Sequence, residues 1–122
     1  MKRDMDLIRK LLFAIEENPR EFMIDGYDPD IIKYHVLLLM EADYIDGRVS
    51  NTLGHSSVAP QNVFVNRLTW NGHEFIDNIR QDEIWNTIKT EFKGASVSTI
   101  YSVCKQLAEG YAKKKIQVIL GE

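Results

Sequence analysis

Apolar residues at Met5, Ile8, Leu11, Leu12 and Ile15 recur at three- and four-residue spacing, which predicts an amphipathic helix early in the chain. Asp4 stands at the N-cap position, and Asn18-Pro19 closes the helix, because a residue before proline avoids the helical region. Asp28-Pro29 signals the next start, a capping aspartate with proline at the first helical position. That helix is expected to run to Ala42, with Ile32, Val36 and Leu39 on one face. Asp43 follows, a residue type that tolerates the left-handed conformation helix ends often need. The period then changes from helical to alternating. "YIDGRV" predicts a short strand. "NVFVNRL", Asn62 to Leu68, predicts a second, with Val63, Val65 and Arg67 alternating against Phe64 and Leu68. Between them "SNTLGHSSVAPQ" is rich in turn formers and suits a long hairpin tip.

Three further helices are expected. Thr69 caps one carrying Phe75, Ile76 and Ile79, and Asp82 caps one carrying Trp85, Ile88 and Phe92. Gly94 separates these from a last helix, capped by Ser96, with Ile100, Cys104, Leu107 and Tyr111 on one stripe. Lys113, Lys114 and Lys115 read as a solvated helix end. Trp70 and Trp85 adjoin helix starts with apolar followers, so both are expected to anchor a core. Because a lone two-stranded hairpin is marginal, helices must pack on it. The expected fold is α+β: a winged helix-turn-helix domain with a two-stranded wing over residues 1–80, and a C-terminal helical extension over residues 81–122 packed on the same domain.

Composition narrows the class. With 122 residues, 44% of them hydrophobic and 27% charged, the chain fits one ordinary soluble domain. Its longest apolar run, "VLLLM", is far short of the roughly 20 residues that span a bilayer. Near the start, Asp4, Asp6, Arg9 and Lys10 interrupt what would be the apolar core of a signal peptide. Cys104 is the single cysteine, so no intramolecular disulfide and no cysteine-based zinc site can form, and a cytoplasmic setting is expected.

"HEFID", His73 to Asp77, is the one cluster with the look of chemistry. A zincin helix needs two histidines four apart, and here Asp77 occupies the second position with no third ligand in view. The better reading places His73 and Glu74 in the first turns of a helix, where polar and acidic groups suit the dipole. His35, on the apolar side of the second helix, is expected in the core, and so is Cys104. No nucleophile, base and acid fall at a catalytic spacing, and Gly47, Gly54 and Gly72 are too isolated for a phosphate loop. The expectation is therefore a non-enzymatic protein with no metal, no cofactor and no small-molecule substrate.

"YHVLLLMEADYI" resembles the end of the recognition helix in winged-helix regulators, with His35, Val36, Leu39, Ala42, Tyr44 and Ile45 at matching positions and Asp43 in place of the usual glycine. "RLTWNGHEFI" resembles the exit from the wing in the same class, through Leu68, Thr69 and Gly72. Together with "MKRDMDLIRKLL" and "LTWNGHEFIDNIRQDEIW", these stretches identify the chain as similar to a small bacterial and prophage family catalogued as a domain of unknown function, over nearly its whole length. Small winged-helix proteins of the YjcQ type are also similar. The resemblance implies a fold and a phage-related, cytoplasmic setting, and no catalytic residues.

Charge divides the two functional readings. The formal net charge is −3. From Asp25 to Asp46, six acids (Asp25, Asp28, Asp30, Glu41, Asp43, Asp46) face Lys33 alone, whereas Arg48 to Arg67 holds two arginines, His55 and no acid. An acidic recognition helix opposes approach to phosphate, and a basic wing permits it. One reading is a DNA-binding transcriptional regulator or accessory factor whose contacts would include Lys33, Arg48, Asn51, His55 and Arg67. The other is a protein–protein interaction module acting through the acidic helix. A homodimer through the C-terminal helices is expected in either case, to cover their apolar stripe.

Overall fold

A computed structural model describes residues 2–92 and 94–121. In chain order the elements are α1 (Met5–Glu17), α2 (Pro29–Glu41), β1 (Ile45–Ser50), β2 (Asn62–Leu68), α3 (Trp70–Ile79), α4 (Asp82–Glu91) and α5 (Val97–Ile119). The class is α+β, in an order compatible with a winged helix. No helix among the described residues is long and apolar enough to cross a membrane.

Both leading helices start where the sequence puts them. The Asp4 carboxylate accepts from Leu7 N, and Asp28 accepts from Asp30 N with Pro29 at the first helical position. Each satisfies one backbone donor that the first turn leaves open. The end of α2 is set by Asp43, whose φ of 63° turns the chain into β1. Ala42 N and Tyr44 N donate back to Leu38 O and Leu39 O.

The connection over residues 18–28 contains no helix. This connection is longer than the usual helix-turn-helix turn of about 3–4 residues.

β1 and β2 form an antiparallel two-stranded sheet with Ile45 opposite Leu68 and Gly47 opposite Val65. The register shifts between Asp46 and Gly47, leaving Asn66 as an extra residue on β2. That bulge corrects the expected alternation. Val65 and Leu68, three apart, are both buried, whereas Phe64 and Arg67 are exposed. Gly47 sits where a side chain would collide with the Phe64 carbonyl oxygen, so the bulged ladder leaves no room there for a Cβ.

The chain divides into two compact units, Met1–His73 and Glu74–Glu122, with the division inside α3. In the first, Leu7, Leu11, Leu12 and Ile15 of α1 and Ile32, Val36 and Leu39 of α2 are buried, together with Ile45, Val65 and Leu68 of the hairpin. In the second, Phe75, Ile76, Ile79, Ile84, Trp85, Ile88, Ile100 and Cys104 are buried, and the rings of Phe75 and Tyr101 stack with centroids 5.8 Å apart.

Three expectations are corrected. Trp70 is 77% exposed and anchors nothing, whereas Trp85 is buried as expected. Asp82 is the first residue of α4 and not its cap; Gln81 takes the cap position without a side-chain bond, and Asp82 and Glu83 instead place negative charge in the first turn. The lysine run lies inside α5, which continues to Ile119, and is no helix end.

Candidate interaction surfaces

Four residues of α2 face away from its buried stripe. Ile32, His35, Val36 and Leu39 turn inward, and Asp30, Tyr34, Leu37 and Glu41 lie opposite at helical spacing. Asp30 and Glu41 are exposed, Tyr34 and Leu37 half-buried. This face offers an aromatic ring and an aliphatic side chain between two carboxylates. It carries no arginine, asparagine or glutamine to meet a base edge or phosphate.

His35 is fully buried and bonded at both ring nitrogens. Its Nε2 accepts from Asp4 N at 2.8 Å and its Nδ1 lies 2.8 Å from Ile31 O. This pattern requires the tautomer with the proton on Nδ1, donating to the carbonyl. The ring therefore ties the cap residue of α1 to α2. It is a core histidine with a structural task, as expected.

All five residues expected at a nucleic-acid surface have partners within the chain, and most of them hold the hairpin. Lys33 Nζ donates to Gln61 O at 2.9 Å. Asn51 Oδ1 accepts from Gln61 N at 2.6 Å. Thr52 donates to Gln61 Oε1 through both N and Oγ1, each at 2.9 Å. Gln61 is thus the node where the loop returns to β2. A glutamine in a loop carries no sequence signal for such a role, because its partners meet only once the loop closes. His55 Nε2 donates to Ala59 O at 2.7 Å inside the tip. Arg48 lies over the Phe64 ring, 4.3 Å from its centroid. Arg67 donates to Leu68 O. The structure gathers Lys33 and Asn51 on Gln61 and leaves Arg48, His55 and Arg67 on separate partners.

"HEFID" lies in α3, and Thr69 opens that helix. Thr69 Oγ1 accepts from Gly72 N at 3.1 Å, and its carbonyl accepts from His73 N. His73, Glu74 and Asp77 are exposed, and Asp77 pairs with Arg80 at 3.2 Å. The stretch turns a strand into a helix. Among the described residues, no three His, Cys, Asp or Glu side chains come together as a metal site.

Burial pushes the Cys104 thiol from its usual 9.0 up to about 11, against a smaller lowering by a backbone hydrogen bond. A thiol held protonated in the core is no nucleophile at neutral pH.

These elements define a small α+β protein built around an antiparallel hairpin, with polar chemistry spent on holding the hairpin and the helix starts. The chain belongs to the family described as "Hypothetical protein (DUF2513)", whose model matches residues 2–98. An uncharacterized protein of Haemophilus influenzae is 34% identical over 115 residues, which is 89% of this chain and 93% of that protein. No solved structure matches the chain.

Proposed function

We propose that this chain is a non-enzymatic winged-helix-type interaction module that presents the outer face of α2 to a protein partner. One observation carries the reading: where a DNA-reading helix needs donors for bases and phosphates, α2 offers Asp30, Tyr34, Leu37 and Glu41. Carboxylates there are repelled by phosphate, whereas an aromatic and a leucine at half exposure suit a desolvated protein contact rimmed by acids. The partner would present a basic, partly apolar surface.

The hairpin supports a second reading, a transcriptional regulator or accessory factor that contacts DNA through the wing alone. Arg48, Asn51, His55 and Arg67 lie in a segment without acids, and Lys33 borders its base. Such contacts would position the protein on phosphate without reading sequence.

One pair of measurements tests both. A photo-crosslinking residue at Leu37, in cells of the native host, is expected to give a discrete protein adduct that the same residue at exposed Asn86 does not. Titration with pooled duplex DNA below about 0.1 M salt, where electrostatic contacts are least screened, is expected to give no binding beyond a non-specific background. Tight, steeply salt-dependent binding lost on replacing Arg48 and Arg67 would overturn the first reading in favour of the second.

A further inference from the structure

An open groove of about 430 Å³ runs beside β2, lined by Pro19, Arg20 and Phe22 from the connection after α1 and by Arg48 and residues 63–66 from the hairpin. Both faces of β2 contribute: Val63 and Val65 from the inner side, Phe64 and Asn66 from the outer. A groove touched by both faces of a strand lies along its edge. β1 is the strand neighbour of β2 on the other side, so alternate backbone N–H and C=O groups of β2 point toward the groove. Among the described residues, no backbone hydrogen bond joins residues 19–24 to β2.

The two charged residues that line the groove, Arg20 and Arg48, are both cations. The Asp46 carboxylate accepts from Nδ2 of groove-lining Asn66 at 3.2 Å, and Glu21 stands between Arg20 and Phe22 in the sequence. The Arg48 guanidinium lies over the Phe64 ring, which holds it at the groove. Phe22, nearly buried, and half-buried Val63 supply apolar contact.

We propose that this groove takes an extended, acidic peptide segment of a protein partner as an added strand on β2, with Arg20 and Arg48 pairing its carboxylates. The site is separate from the α2 face, and the proposal holds or fails independently of the reading above. A single-stranded nucleic acid fits less well: it needs a track of cations along its phosphates, and two arginines make a short track. Unpaired N–H and C=O groups in alternation match a peptide backbone instead.

The probe is a short capped peptide alternating Val and Glu, titrated into the ¹⁵N-labelled full chain. Amide shifts are expected at residues 20–22 and 62–66. Affinity should fall about tenfold in Arg48→Glu and again in Arg20→Glu, the loss expected for one charge-assisted contact. Both variants change exposed residues, so unchanged amide dispersion elsewhere will confirm that they remain folded. A peptide N-methylated at alternate positions should not bind, because it cannot complete the ladder. Failure of the Val–Glu peptide to shift these amides at millimolar concentration overturns the proposal. Equal binding by the N-methylated peptide overturns strand addition, and tighter binding of oligothymidylate with the same arginine dependence assigns the groove to nucleic acid.

Discussion

The Cα of Gly72 packs directly against the main-chain carbonyl of Tyr44, leaving no room for a side chain. The same carbonyl accepts from Thr69 N at 3.0 Å. Tyr44, the last residue before β1, thereby fixes where α3 begins. Gly72→Ala should destabilise the chain by about 2 kcal/mol, the usual scale of overpacking, although alanine favours a helix by about 1 kcal/mol. Chemical denaturation of the variant checks this; an unchanged or raised midpoint would show that the helix start can move aside.

His35→Phe keeps a ring in the core but removes the acceptor for Asp4 N and the donor to Ile31 O. A buried donor left unsatisfied costs about 1–3 kcal/mol. The loss should appear in thermal denaturation together with faster hydrogen exchange in the first turn of α1.

Asp28→Ala removes the bond to Asp30 N at 2.9 Å. The expected loss is about 1 kcal/mol, the typical worth of an N-cap, read as a shift in denaturation midpoint with unchanged slope. Retention of the wild-type midpoint would mean that Pro29 alone sets the start of α2.

How much of this was legible in the sequence depends on how far each feature reaches. Asp4, Asp28, Thr69 and Ser96 act within three residues of themselves, so their caps were readable. The bounds of β2 were readable for the same reason. Its faces were not, because Asn66 becomes the extra residue only through pairing with β1. The two contacts of Lys33 and His35 span 28 and 31 residues, distances over which no local pattern extends. Trp70 lies opposite Gly72, Phe75, Ile76 and Ile79 on α3, so apolar followers in the sequence do not place it in the core.

Cys104 supplies a pH dependence. Its thiol is raised from 9.0 to about 11 by burial in the folded chain. Below 9.0 both states hold the proton; from there to about 11 only the unfolded state releases it, so stability falls across that window and the loss is complete above it. The denaturation midpoint of wild type should therefore drop more steeply between these values than that of Cys104→Ala. Parallel curves would show that the folded thiol ionises normally.

Along α5, the stripe of Ile100, Cys104, Leu107, Tyr111 and Val118 is buried at its first half and open at its second, where Val118 is 76% exposed. We expect this second half to pair with its copy on another chain. Sedimentation at micromolar concentration should give twice the chain mass, and Val118→Glu should halve it without loss of helicity. A monomer at all concentrations sinks the idea.

The bulge at Asn66 bears on where this chain can change length. Toward the tip, residues 51–61 close a loop, and doubling such a loop costs only about 0.6 kcal/mol in closure entropy, so insertions at its exposed Leu53 and Gly54, between the residues that bond Gln61 and Ala59, should leave the strands undisturbed. On the other side only Arg67 and Leu68 separate the bulge from Thr69. Deleting Asn66 would leave Val65, Arg67 and Leu68 opposite Gly47, Asp46 and Ile45 in regular alternation, whereas one residue added between Arg67 and Leu68 would carry Leu68 to the opposite side of the strand and turn the cap of α3 away from Tyr44. A single chain position thus divides a segment open to grafting from one whose length is fixed.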